Sequence, residues 1–137
     1  MSILSKYRQT GCKKESGGLL FSNKLDSNNI FIDMATPPTR QDIRTVNRFK
    51  HNKLTSQKLI NECFLKGLYY IGDWHSHSQL NPQPSCKDIK TINNIYQSSQ
   101  HHLNYIIMLI ISKDKDFSKS YIGLTDGKKL VQCIPYS

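Results

Sequence analysis

This chain has no C-x-x-C pair, no long apolar run and only two glutamates, Glu15 and Glu62. Its four cysteines, Cys12, Cys63, Cys86 and Cys133, are scattered along 137 residues. Small disulfide-stapled scaffolds space their cysteines more densely and regularly, so these four read as reduced thiols of a cytosolic protein. The longest apolar run, Tyr105 to Ile111, is too short to cross a bilayer. The stretch Met1 to Lys14 has basic residues but no apolar core of the length a signal peptide needs. No Pro/Gly/Ser-rich linker, internal repeat or low-complexity tract divides the chain. Its length suits one domain large enough to bury its own core. The expectation is a cytoplasmic protein without membrane attachment, with a single domain over residues 1–137.

Acidic residues are also scarce: nineteen Lys and Arg stand against ten Asp and Glu, for a formal net charge of +9. Such a balance raises a nucleic-acid reading, because cations that neutralise phosphates release counterions. The basic residues are spread along the chain, however, and aromatics are not interleaved with them as a stacking platform requires. A basic, solvated surface is the preferred reading, and an acidic protein partner is equally compatible with it.

Leu19–Asn23 and Asn29–Ala35 have the pattern of a hairpin turned around Asp26-Ser27-Asn28, the second strand ending at Pro37-Pro38. Thr55 to Lys66 reads as an amphipathic helix, capped by Thr55, stapled by Leu54 and Leu59, and ended by Gly67. Leu68–Trp74 is strand-like and runs into His75-Ser76-His77. Beyond Pro82 and Pro84, a second helix starting at Ser85 carries Ile89, Ile92, Ile95 and Tyr96 at helical spacing. Tyr105–Ser112 reads as a buried central strand. Ser120–Leu124 and Leu130–Ile134 read as a final hairpin turned at Asp126-Gly127. Strands and helices mix without a strict βαβ alternation, so the expected class is α+β.

The chemistry concentrates at His75, His77, Ser85 and Asp88. Two histidines at i and i+2 of an extended segment point to one face and can offer two imidazole nitrogens to one ion. An aspartate eleven positions after His77, on the first turn of the next helix, can close on the same ion. Two His and a carboxylate leave the fourth tetrahedral position of a zinc ion to water, which marks a catalytic site rather than a structural one. Each piece has a blander explanation. A strand H-x-H is usually unremarkable, and Ser85 with Asp88 three positions on is a capping-box variant with an anion at the positive end of a helix dipole. Capping and catalysis are compatible, since a cap can hold both side chains toward a site.

Taken together, His75-Ser76-His77, seven residues, Ser85, two residues, Asp88 resembles without a gap the H-x-H-x7-S-x2-D signature of the JAMM (MPN, Mov34, JAB) metallopeptidases. Glu15-Ser16-Gly17-Gly18-Leu19-Leu20 is similar to the E-x-G-G-x-L segment in which prokaryotic members carry their glutamate. Ala35-Thr36-Pro37, Asp42, Arg44, Phe49 and Gly72-Asp73-Trp74-His75 resemble a bacterial JAB subgroup whose members act as deconjugating peptidases in CBASS antiphage systems. Asp73 stands where that subgroup commonly has Glu, and Ser78 where it has Pro after the second histidine. Neither position is a ligand, so the departures bear on the substrate groove.

The resemblance implies a cytidine-deaminase-like MPN/JAB fold, a curved mixed sheet flanked by two main helices. It implies one zinc per chain on His75, His77 and Asp88, with a catalytic water as fourth ligand. Glu15 would be the general base and acid, and Ser85 the oxyanion donor. The partner would be a protein carrying a ubiquitin-like conjugate, such as a nucleotidyltransferase joined through its C-terminus, and nucleic acid is disfavoured. Alternatives from other classes are a peptidase trimming a sulfur-carrier or ubiquitin-like C-terminus, a non-catalytic MPN-like scaffold, and a nucleic-acid-binding module. Trp74 is read as a packing residue, Gly17 and Gly18 as close-packing positions, and Cys86 as a free thiol beside Ser85. Cys12 lies near Glu15 in sequence, and whether it reaches the cleft rim is left open by the residues alone. His51, His101 and His102 lack ligand partners at recognisable spacing.

Overall fold

A computed structural model describes residues 2–25, 30–99 and 103–133. In chain order the elements are α1 (Ser2–Ser5), β1 (Gly17–Ser22), β2 (Met34–Ala35), β3 (Ile43–Thr45) and β4 (Arg48–Lys50). They continue with α2 (Lys53–Leu65), β5 (Tyr69–Ser76), α3 (Cys86–Ser98), β6 (Ile106–Ile111), a 3-10 turn at Phe117–Lys119, β7 (Tyr121–Thr125) and β8 (Leu130–Gln132). Six strands form one mixed sheet in the order β2-β1-β5-β6-β7-β8, and β3–β4 is a separate hairpin. Among the described residues only β5 and β6 run parallel. The α+β expectation is met.

Strand β6 is apolar at all six positions and buried at all six, so both of its faces need a cover. Ile107, Leu109 and Ile111 join Leu20, Ile71 and Trp74 in a core closed by Leu4 of α1 and by Tyr7 and Ile32. On the opposite face Ile106, Met108 and Ile110 meet Ile92, Ile95 and Tyr96 of α3. Helix α2 covers Leu19 and Phe21 of β1 through Leu59, Ile60 and Cys63. Leu19 is in register with Asp73, and Asp73 with Met108, so both main helices lie on the same face of the sheet.

The pairing of β5 with its neighbours β1 and β6 depends on glycine at two positions. A Cβ on Gly18 would sit 2.0 Å from the Thr36 carbonyl oxygen and 2.6 Å from Trp74 Nε1. That space is crossed by the Trp74 indole N–H, which donates to Thr36 O at 2.9 Å. Thr36 also accepts Leu19 N–H on its hydroxyl at 2.9 Å, locking the end of β2 to β1. At Gly72 a Cβ would meet the Ile107 carbonyl at 2.1 Å. Leu20 pairs with Gly72 and Phe21 with Tyr70, so Ile71 is the extra residue of a bulge, which bends β5 on its way to the site.

Several boundaries differ from expectation, each for a local reason. The second strand contributes only Met34–Ala35; before it, Asp33 N–H still donates to Phe21 O at 2.9 Å while its carboxylate accepts from Asn23 N–H at 2.7 Å. The expected turn Asp26-Ser27-Asn28 lies outside the described residues, as do His101, His102 and Ile134. Asn52, not Thr55, caps α2, its Oδ1 accepting Thr55 N–H at 3.0 Å. The Leu54–Leu59 staple does not form, since Leu54 is 84% exposed. Gly67 follows the helix at a positive φ of 80°, as a terminating glycine should. Among the described residues no helix is long and apolar enough to cross a membrane.

Gly18→Ala is expected to cost about 1–3 kcal/mol, the usual range for overpacking a filled site. Urea denaturation of the two proteins measures it; an unchanged midpoint would show that Thr36 and Trp74 can yield.

Candidate metal centre

Strand β5 sorts its side chains by alternation. Trp74 points into the core under α1 and is fully buried, as its reading as a packing residue requires. His75, in register with Gly17 and Ile110, points the other way, toward the face covered by α3. After Ser76 the chain is pinned to the end of β6. His77 N–H donates to Ile111 O at 3.3 Å, Lys113 N–H to Gln79 O at 3.1 Å, and the Ser112 hydroxyl to Leu80 O at 2.6 Å. These bonds hold His77 beside His75 although the strand has ended.

The third group comes from the start of α3. Ser85 Oγ accepts Asp88 N–H at 3.0 Å while Asp88 Oδ2 accepts Ser85 N–H at 2.9 Å, a reciprocal capping box. The cap therefore exists as read, and it aims the same Oδ2 at both histidines. Asp88 Oδ2 lies 3.4 Å from His75 Nε2 and 3.4 Å from His77 Nε2, and the two Nε2 atoms are 3.2 Å apart. Zinc with bonds of about 2.0–2.1 Å separates its tetrahedral ligands by about 3.3 Å, so this nearly equilateral triangle has the size of a tetrahedral face. His77 Nδ1 lies 3.3 Å from Gln79 Oε1. With the hydrogen on Nδ1, Nε2 presents its lone pair to the triangle. The donor set fits a zinc ion, and among the described residues it is the one His/Cys/Asp/Glu group that could hold a metal.

Burial opposes charge at Asp88, but hydrogen bonding from His75, His77 and the Ser85 N–H outweighs it and holds the carboxyl far below its usual range. Burial likewise works against a charged His77, and hydrogen bonding to Asp88, with the charges of Asp88 and Glu15, reverses it and raises the imidazole. Without an ion, the triangle is thus a hydrogen-bonded set around one fixed anion.

Glu15 stands just before β1 and is itself buried. Desolvation pushes its carboxyl up to about 7; the charge of His77 pulls it down and that of Asp88 pushes it up. Those couplings bring Glu15 into the electrostatic field of the triangle. A polar net behind it holds the backbone. Glu15 N–H donates to Thr45 O at 2.7 Å, Arg44 Nε to Glu15 O at 2.9 Å, and Arg44 Nη2 to Ser16 Oγ at 2.7 Å. Buried Ser76, between the two histidines, accepts Ser16 N–H on its Oγ at 2.8 Å. Arg44 and Ser76 were not singled out as site residues in the sequence, where only their places in motif-like segments mark them. Their role depends on the β3–β4 hairpin, whose short polar strands carry no periodic signal.

Glu62 is exposed on α2, away from the triangle. Cys86 and Cys12 are exposed free thiols, outside the ligand group. His51 belongs to no metal cluster but is not isolated: its Nε2 lies 3.5 Å from Asp73 Oδ2.

Comparison with known proteins agrees with this architecture. The family described as prokaryotic homologues of the JAB domain matches residues 1–121. A curated relative from Enterobacter hormaechei subsp. hoffmannii, named CD-NTase/cGAS isopeptidase, is 26% identical over 112 residues, 82% of this chain and 62% of the relative. A relative of the same name from Escherichia coli is 30% identical over 92 residues, 64% of this chain and 58% of its own. One from Vibrio cholerae is 28% identical over 118 residues, 83% of this chain and 72% of its own. The chain thus spans about three fifths of the length of the first two. A solution structure of a protein from Desulfitobacterium hafniense superposes with a TM-score of 0.69, covering 96% of this chain and 84% of that one; at 17% identity it speaks for the fold.

The raised carboxyl of Glu15 has a consequence for stability. Between its ordinary value of 4.5 and about 7 the folded chain keeps a proton that the unfolded chain releases. The stabilisation is therefore full below 4.5 and is lost as pH rises through 7. In metal-free protein, Glu15→Gln should gain on wild type between pH 5 and pH 8, by roughly 2–3 kcal/mol. Urea denaturation at the two pH values checks this; a constant difference would mean that Glu15 ionises as if exposed.

Proposed function

Because this chain belongs to the family of prokaryotic homologues of the JAB domain, we propose that it is a zinc-dependent isopeptidase. On this reading it cuts the amide bond that joins a ubiquitin-like-conjugated protein to its target, as a cytoplasmic deconjugase of a CBASS-type antiphage system. The relatives' name, CD-NTase/cGAS isopeptidase, supports a nucleotidyltransferase as the conjugated partner, which on this reading is joined through its C-terminus. Residues 1–137 act in it as one JAB domain. The observation that carries the proposal is the His75–His77–Asp88 triangle, with edges of 3.2–3.4 Å, beside a buried glutamate.

His75, His77 and Asp88 would hold the zinc. When bound, the ion supplies Lewis acidity, polarising the scissile carbonyl and acidifying water. Glu15 takes a proton from the attacking water and passes it to the departing amine. A carboxyl near 7 in the metal-free protein suits a group that must both accept and donate at neutral pH. Ser85 uses its oxygen to accept Asp88 N–H, which leaves its own hydrogen to donate to the oxyanion as the carbonyl becomes tetrahedral. Loss of such a donor costs about 3 kcal/mol of barrier. Arg44, bonded to Glu15 O, fixes the backbone from which the base projects.

The test joins metal content to cleavage. Purified wild type is expected to hold about one zinc per chain after dialysis and His77→Ala to lose it, by elemental analysis. Glu15→Ala should keep the zinc and lose cleavage of an isopeptide-linked conjugate by at least about a hundredfold. A folded wild type that takes up no zinc when resupplied would sink the proposal. Full activity in Glu15→Ala would remove that residue from the mechanism.

A further inference from the structure

A second polar cluster stands on the same face as the triangle, and the metal chemistry makes no use of it. Asp73 precedes His75 by two residues on β5, so the two side chains point the same way, about 6.5–7 Å apart along the strand. The aspartate is only 8% exposed. Its Oδ1 accepts the Tyr70 hydroxyl at 2.6 Å, and its Oδ2 faces His51 Nε2 at 3.5 Å. The His51 ring meets Phe49 edge-on, with centroids 4.9 Å apart. Phe49 in turn fills the space over Gly17, where a Cβ would lie 2.4 Å from its ring, and Gly17 is the β1 partner of His75. His51 is therefore held from two sides, directly beside the ligand strand, while 21% of its side chain stays open to solvent.

A buried carboxylate is costly unless its oxygens are engaged, and here Oδ1 takes the Tyr70 hydroxyl while Oδ2 faces one partly open imidazole. With the hydrogen of Nε2 turned to Asp73, Nδ1 is left as an acceptor. From these contacts we infer that His51 is a substrate-positioning residue, backed by Asp73 and Tyr70. It accepts a hydrogen bond from a backbone N–H of the protein segment next to the cleaved bond. An extended segment advances about 6.6 Å in two residues, which matches the spacing of Asp73 from His75. A carbonyl presented to the triangle thus sets an N–H about two residues away at the level of Asp73, whose Oδ2 stands 3.5 Å from His51. The inference rests on the peptidase reading above and adds to it one wall of the substrate groove.

Steady-state cleavage of an isopeptide-linked conjugate by wild type, His51→Phe, His51→Gln and Tyr70→Phe tests it, with zinc content and circular dichroism measured on each. Phenylalanine keeps the ring against Phe49 but has no acceptor; glutamine loses the ring but can donate to Asp73 and accept from substrate. The expected result is a KM about tenfold higher for His51→Phe at nearly unchanged kcat, with His51→Gln close to wild type and zinc unaltered in both. Tyr70→Phe, which frees Asp73 on one side only, should raise KM about threefold and carries the test if His51→Phe does not fold. The reverse order, with His51→Phe active and His51→Gln impaired, would show a packing role and overturn the inference. So would an unchanged KM in folded Tyr70→Phe. A zinc-loaded wild type that cleaves no conjugate would overturn the peptidase reading itself, and this inference with it.

Discussion

The contact between β1 and β5 at Gly17 and Gly18 controls most of what this molecule can do. Side chains at these two positions would meet Phe49, Thr36 and Trp74 at distances no real Cβ tolerates. Their absence lets the Trp74 indole reach the Thr36 carbonyl across β1 and lets Phe49 lie over the strand next to His75. The same pairing carries Glu15 to the end of the sheet where the histidines emerge. Glu15, the two histidines and the core are therefore tied to a single backbone approach, and the two glycines are structural conditions for the site rather than members of it.

Electrostatics at the site follows from how few charges are involved. Asp88 is fixed by a helix cap whose geometry is local, formed within four residues, so its aim is set by one turn of chain. Glu15 is placed by long-range contacts, the β1–β5 pairing next to it and the bonds to Thr45 and Arg44 of the small hairpin. The two carboxyls are then driven apart: Asp88 by hydrogen bonding to a permanent anion, Glu15 by burial to a group that titrates near neutrality. Separation of this kind suits one carboxyl to holding a cation and the other to moving a proton.

Much of this was legible in the residues. The strand running into His75, the helix opening at Ser85, the apolar β6 strand and the terminal hairpin all appear within a residue or two of where patterning puts them, because each is specified by its own periodicity or cap. Where reading failed, neighbours decided. Thr55 gave way to Asn52 because a cap is chosen by the entering backbone, and Leu54 stayed in water because nothing packs above it. The β3–β4 hairpin escaped notice since Ile43 to Lys50 is short and polar, and it is held in place by Arg44 and Phe49 instead of an apolar face.

His51 marks the boundary most clearly. Its neighbours in sequence offer no ligand spacing, and its partner Asp73 lies twenty-two residues away on another element. The sequence by itself determined the composition of the His75–His77–Asp88 triangle, because strand alternation and a helix cap are local rules that residue spacing obeys. Only the tertiary structure decided that the triangle has the edge lengths of a zinc face, that Glu15 is buried beside it, and that His51 and Asp73 line the same wall. Those depend on strand pairing across long stretches of chain, which backbone contact enforces and no local pattern encodes.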